Sequence, residues 1–291
     1  MARMQIKLSK AVFFLLPVGI PLILFWIIPN FISLGISFTD WDFMTNDFNF
    51  VGLENYFNLF TQDSFMQALL NTFYFGIGTV IPTIALGLGF ALFFRKKFKG
   101  SALYQLMIFS PWVTPTIAVS IVWSLLYEPQ FGVINKVLNF FGIPGLDWLQ
   151  SSQTAMLAVI IVTVWKLVGW TMIFYIGALE KVPDSLYEAA SIDGANSWQK
   201  FRYVTLPMVS STTFFLVVVN TISSVQAYDQ IKILTQGGPS GSTRTLLYLF
   251  FQQGFEQFDM GSATAIAFII LIITILLSVI NKIIGDKWVN Y

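Results

Sequence analysis

The sequence predicts an all-α, polytopic membrane protein with six transmembrane helices, and three observations carry that prediction. Of 291 residues, 56% are hydrophobic and 11% charged, with a mean hydropathy of +0.71. A soluble domain has about 45–50% apolar and about 25% charged residues, so this chain has too little polar surface to be solvated as a globule. Six stretches are long and apolar enough to cross roughly 30 Å of hydrocarbon at about 1.5 Å per residue. Finally, the basic residues gather on alternate connections between those stretches.

Uncharged runs occupy 11–39, 64–94, 100–127, 203–228 and 260–281, and a sixth at 148–179 is interrupted only by Lys166. After a tail at 1–10, the spans are expected at about 11–38, 66–94, 101–127, 154–179, 204–227 and 261–284, in a single membrane domain covering 11–291. The first run is too long for a cleavable signal peptide and is not followed by a small-residue cleavage site. Pro17, Pro21, Pro82, Pro111 and Pro115 fall in or near spans and read as kinks and helix ends. Gly76/Gly78, Gly87/Gly89 and Gly261-x-x-x-Ala265 read as places where helix backbones approach closely.

Twelve of the 16 Lys and Arg residues fall on one side of such a chain. They are Arg3, Lys7 and Lys10 in the first tail, then Arg95, Lys96, Lys97 and Lys99 after the second span. Lys181, Lys200 and Arg202 follow the fourth span, and Lys282 and Lys287 close the chain. Basic connections remain in the cytoplasm, so both termini are expected there. The opposite side carries Asp40, Asp42, Asp47, Glu54 and Asp229 among its acids, against Lys136, Lys232 and Arg244. The net charge of +1 conceals this asymmetry and points to no nucleic-acid partner.

The chain has no Cys and no His. Disulfides, thiolate nucleophiles, imidazole bases and most transition-metal sites are thereby excluded. No carboxylate pair lies within a span, so an enzyme embedded in the bilayer would have no catalytic constellation. An ion-coupled secondary transporter of a small polar solute is the alternative reading, but it would place Asp or Glu inside a span. No G-x-x-x-x-G-K-[ST] occurs, so no nucleoside triphosphate is cradled by a P-loop here. No catalytic residue, metal site or cofactor of this chain's own is expected.

The connection at 181–206 is unlike a simple membrane linker. Ser185 and Glu188 have the spacing of a capping box. Asp193-Gly194 supplies a stop, because Gly accepts a left-handed conformation without steric cost. Asn196 with Gln199 starts a second short helix. Spacing alone leaves open whether these residues only cap and turn. On the fifth span, Asn220, Ser223, Ser224 and Ala227 stand at offsets that share one helical face. Their amide and hydroxyls suit either a neutral, hydroxyl-rich ligand or hydrogen bonds to neighbouring helices. Lys166 at mid-helix costs about 2.5–3.5 kcal/mol on insertion scales. It must therefore face the interior, to contact a ligand, pair with an outer acid, or bond to carbonyls near a kink. The acidic outer loops and the Gly/Pro/Ser stretch 236–243 read as solvated linkers.

Glu188-Ala189-Ala190, Asp193-Gly194-Ala195, Phe201 and Leu206-Pro207 resemble the EAA loop of the membrane subunits of ABC-type importers. Gly52-Leu53-Glu54-Asn55-Tyr56, Asn71-Thr72, Phe131-Gly132-Val133-Ile134-Asn135, Trp148-Leu149 and Leu234-Thr235-Gln236-Gly237-Gly238-Pro239, with Phe255 and Gly261, resemble the carbohydrate importers of that family. The resemblance covers most of the chain from about residue 51, and its Gly-Gly-Pro segment is similar to the larger-type permease subunit of maltose and glycerol-3-phosphate importers. It implies a type I ABC importer transmembrane domain that forms half of a sugar path. The other half would come from a second, homologous permease subunit.

The same resemblance implies two ATPase subunits, which hold ATP and Mg, and an extracytoplasmic sugar-binding protein. It places the complex in a bacterial or archaeal plasma membrane, surrounded by lipid. Glu188, Ala189, Ala190, Asp193 and Gly194 would form the contact with the ATPase. Trp170, Asn220, Ser223, Ser224 and Ala227 would face the sugar; the last two are smaller than the amides that the maltose type carries there.

Overall fold

A computed structural model describes residues 8–45, 47–96 and 98–288. Arg3, Lys7 and Lys97 of the basic asymmetry lie outside the described residues. The helices run in order α1 (Leu8–Leu22), α2 (Ile28–Ile36), α3 (Glu54–Thr61), α4 (Asp63–Phe94), α5 (Ser101–Val113), α6 (Thr116–Leu126), α7 (Val133–Phe140) and α8 (Ala155–Leu179). There follow α9 (Asp184–Ile192), α10 (Ser197–Lys200), α11 (Leu206–Met208), α12 (Ser210–Val225), α13 (Asp229–Leu234), α14 (Leu246–Phe251) and α15 (Met260–Trp288). Wider π turns at Ile23–Ile27, Phe201–Thr205 and Gln252–Glu256 join some of them. Among the described residues the β structure is one antiparallel bridge, Thr39 to Phe50.

Among the described residues, four helices are long and apolar enough to cross a membrane: Phe14–Ile36, Asp63–Phe94, Ala155–Leu179 and Met260–Asp286. Two bent pairs bring the total to as many as six. α5 and α6 meet at 102°, and the segment Ser197–Met208 meets α12 at 66°. The third stretch is thus broken rather than continuous. Pro115, with ψ 132°, stands just before α6, and a residue ahead of proline is pushed out of the helical region, as Thr114 is at ψ 135°.

The chain divides into two compact units. In the first, Met1–Thr61 with Phe250–Ile269, the side-chain amide of Asn55 donates to the carbonyls of Ser37 (3.0 Å) and Thr39 (2.8 Å). The Tyr56 hydroxyl meets Ser37 Oγ at 2.8 Å. The Met260 and Gly261 N–H groups donate to the Trp41 carbonyl at 3.0 and 3.2 Å. Asn55, Tyr56 and Gly261, three of the motif residues, therefore pin one loop.

The second unit, Gln62–Leu249 with Ile270–Tyr291, is built on α4 against α8, with α5 and α12 alongside. Phe75, Met156, Val159, Val162 and Tyr248 belong to one buried cluster. Ala91, Met172, Tyr175, Val209 and Leu216 belong to another. The small residues of the spans serve this packing: Gly78 faces Ile160 and Gly87 faces Thr171. The tightest approach is at Gly169, where a Cβ would collide with the Ile108 carbonyl and the backbone of Phe109.

Two connections of this unit are folded plugs. Asn135 is buried; its Nδ2 donates to the carbonyls of Pro129 (3.0 Å) and Leu146 (2.9 Å), and its Oδ1 accepts from Leu146 N–H and Trp148 Nε1. Segment 236–243, expected as a solvated linker, is packed instead. Asn71 Nδ2 donates to the carbonyls of Gly241 and Arg244, each at 2.9 Å, and Leu246 N–H donates to Thr72 Oγ1 at 2.9 Å. Thr243 is fully buried and bonds to the Gly238 carbonyl at 2.9 Å. Polar composition suggested solvent, but the loop's backbone groups are satisfied by α4, so it can be covered.

Candidate functional site

The residues singled out from sequence collect in two places. The first is the elbow between α8 and α12. α9 begins at Asp184, after Pro183, and no side chain caps it. The expected Ser185–Glu188 capping box is therefore not formed. Ser185 sits inside the first turn, past the N-cap position from which a hydroxyl reaches the free N–H groups. Asp184 pairs instead with Arg95 beyond α4, at 3.2 Å, and the Arg95 guanidinium lies 3.9 Å over the Tyr187 ring.

The stop forms as expected. Gly194 has φ +77°; the Ala195 N–H donates to the Ala190 carbonyl at 2.9 Å and the Gly194 N–H to Ser191 at 3.1 Å. These are the two bonds of a Schellman motif. Asn196 and Gln199 form a reciprocal capping box, at 2.9 and 2.8 Å. Glu188, Ala189, Asp193 and Gly194 are exposed and Ala190 is half-buried. Leu186, Trp198 and Ile192 beside them also present apolar surface, Ile192 being 87% exposed. These apolar side chains are left uncovered on a short folded loop. Behind it, the Tyr187 hydroxyl meets Thr205 Oγ1 at 3.0 Å, and Lys200 Nζ donates to Ser191 Oγ at 2.7 Å. These bonds tie α9 to α10 and to the π turn at Phe201–Thr205 that follows it.

The second place is a cleft of about 390 Å³ between α8, α12 and the α5–α6 break. Its walls include Trp112, Thr114, Lys166, Trp170, Asn220 and Ser223, with Asp229 and Gln230 from the start of α13. Trp112 and Trp170 stack with centroids 5.3 Å apart and planes at 26°. Asn220 is buried, and its Nδ2 donates to the Leu216 carbonyl at 2.8 Å; Ser223 is exposed. Lys166 donates to the carbonyls of Pro111 (3.0 Å), Trp112 (3.3 Å) and Thr114 (2.6 Å). Of the three roles open to it, the structure shows the bond to carbonyls at a kink. The last carbonyls of α5 lack helical partners, and a cation suits that end of the helix dipole.

Of the five expected facing residues, the cleft brings together Trp170, Asn220 and Ser223. Ser224 lies against Gly76, where a Cβ would meet its hydroxyl at 3.1 Å. Ala227 lies past the end of α12 at Val225 and is buried in the core beside Ile231 and Tyr248. The offset argument assumed that the helix continued to 227. Conversely, Trp112 and Thr114 went unnoticed as site residues. The signal was present, because Pro111 and Pro115 four residues apart announce a broken helix, and broken helices in membranes line cavities. Flat indole faces, an amide and hydroxyls together suit the apolar C–H faces and hydroxyls of a neutral, polyhydroxylated solute.

A helical bundle with four to six apolar spans and a cleft walled by aromatic and polar side chains fits a membrane transport subunit, and comparison with known proteins gives its family. Residues 83–290 match the family described as the binding-protein-dependent transport system inner membrane component, and the chain belongs to it. It is 31% identical to the diacetylchitobiose uptake system permease protein NgcF of Streptomyces coelicolor, over 97% of this chain and 86% of that one. It is also 31% identical to the trehalose/maltose transport system permease protein MalF of Thermococcus litoralis, over 84% and 85%. Its fold superposes on a subunit of a bacterial ABC transporter for the polysaccharide alginate with a TM-score of 0.82, covering 96% of each chain at 20% identity. The fold is therefore that of a type I ABC importer transmembrane domain.

Proposed function

We propose that this chain is one half of a heterodimeric sugar path in an ATP-driven importer, and that sugar passes through the cleft walled by Trp170, Asn220 and Ser223. Ser224 and Ala227 shape that wall from behind, through the packing of α12 and the start of α13. The observation that carries the reading is the stacked Trp112–Trp170 pair facing a buried amide in one cleft, in a chain related to permeases named for oligosaccharide uptake. The second half of the path comes from a homologous permease subunit.

Two ATPase subunits bind ATP and Mg and dock on Glu188, Ala189, Ala190, Asp193 and Gly194, where Ile192 and Trp198 supply exposed apolar anchors. An extracytoplasmic binding protein delivers the sugar. Both termini and the elbow lie in the cytoplasm of a bacterial or archaeal cell, the side the basic residues favour.

The test is uptake of the delivered sugar by the reconstituted complex. Trp170→Ala and Asn220→Leu are each expected to lower uptake by about tenfold or more, a loss of roughly 1.4 kcal/mol in recognition, with insertion and ATPase co-purification unchanged. Wild-type uptake in both variants would remove the assignment.

A further inference from the structure

A groove of about 650 Å³ lies between the last turns of α4 and the start of α5, and among the described residues it shares no wall with the cleft. Its α4 wall runs from Ala85 to Phe94, a rise of about 14 Å at roughly 1.5 Å per residue. The hydrocarbon of a bilayer is roughly 30 Å thick, so the groove has the height of one leaflet. Tyr104 and Ile108, four residues apart on α5, form the facing wall. Apart from the Tyr104 hydroxyl, every lining side chain is apolar. The groove is an open slot and not a helix seam. Gly87 is pressed against Thr171, but among the described residues a Cβ at Gly89 would meet nothing within 4 Å. Leu86, Phe93 and Tyr104 are exposed. Phe94 and Phe98 stack at 5.9 Å with planes at 19°, and Phe93 meets Phe98 edge-on at 5.8 Å.

The end of the slot is strongly basic. Arg95, Lys96, Lys97 and Lys99 follow α4 directly, and no acid occurs between Asp63 and Glu128. Arg95 is engaged with Asp184 at 3.2 Å and with the Tyr187 ring. Lys96 and Lys99 are exposed, and they flank in sequence Phe98, a wall of the groove. We infer that the groove seats one acyl chain of an anionic phospholipid, from the leaflet that these bases face, and that Lys96 and Lys99 hold its phosphate. An acyl chain gains no hydrophobic energy by leaving its neighbours in a bilayer, so the apolar slot alone would select no lipid. Selection comes from charge. Lys and Arg clustered directly beyond a span attract anionic headgroups, and a lysine stem near a helix end reaches along apolar surface to put its ammonium at headgroup level. The slot then holds the chain by close contact with its rings.

The probe is phosphatidylglycerol with a photoreactive diazirine on one acyl chain, added to the complete transporter in phosphatidylcholine vesicles. Cross-links are expected within segment 85–108. Unlabelled phosphatidylglycerol should displace them at a concentration where the same addition of phosphatidylcholine does not. Lys96→Gln combined with Lys99→Gln should cut the labelling by about tenfold or more, the loss expected for two headgroup charges. Gly89→Leu, which fills the slot from an open position and leaves the bases in place, should cut it comparably. Displacement by both lipids alike, or labelling unchanged in the glutamine pair, would overturn the site. A Gly89→Leu chain that folds but no longer retains a second permease subunit would mean that protein, not lipid, occupies the slot, and would overturn it too. If Gly89→Leu is not recovered, the glutamine pair, at two exposed positions, decides the question.

Discussion

Single side chains in this protein chiefly satisfy backbone that the fold interrupts. Lys166 is a mid-span cation that insertion energetics would penalise, yet its ammonium holds three carbonyls at the α5–α6 break. Lys166→Met would leave them without that donor. A buried unsatisfied group costs about 1–3 kcal/mol, so the melting temperature of the purified complex should fall, while membrane insertion should be as good or better. Asp40 offers a pH test. Its carboxylate accepts from the Asn49 N–H at 2.6 Å and the Asn49 amide at 3.0 Å, and these bonds hold its pKa below the ordinary 3.8. A depressed carboxylate stabilises the folded loop above the unfolded pKa and loses that effect as pH falls through the folded one. Protease cleavage in this loop should thus be flat from neutral pH down to the ordinary value of 3.8 and rise below it; Asp40→Asn should weaken the dependence, and the remainder belongs to Asp42, whose carboxylate accepts from Thr45 and is lowered in the same way.

Elements are held at their ends and at their closest approaches. α5 and α8 touch backbone to backbone at Gly169. Overpacking there costs about 1–3 kcal/mol or more, so Gly169→Ala should lower the yield of folded protein in detergent, whereas Gly177→Ala, in open space, should not. The elbow depends on Gly194 at φ +77°. Gly194→Val strains that turn by about 1–2 kcal/mol and should uncouple ATP hydrolysis from uptake without preventing insertion. Asn71 clamps segment 236–243 from α4, so Asn71→Ala should open that segment to proteolysis while the helical signal in circular dichroism persists. Three residues that carry the family resemblance, Asn55, Asn71 and Asn135, are such clamps: each side-chain amide donates to two backbone carbonyls outside its own helix.

At the scale of the whole molecule, the sequence by itself determined the solvent and the class. Low charge and long apolar runs permit only helices in lipid, because each backbone group must be satisfied within its own segment. The folded elbow was legible at Gly194 and at Asn196–Gln199, where capping is local chemistry. Only the tertiary structure decided which groups meet. Ser185 missed its capping role because Pro183 starts α9 early, and Ala227 left the expected face because α12 ends at Val225. The cleft needed the α5–α6 break to bring Trp112 onto Trp170, residues 58 positions apart whose contact no local periodicity encodes. Periodicity reports which face of a helix is apolar; it does not report where the helix bends or what lies opposite, and both are fixed by packing between distant segments.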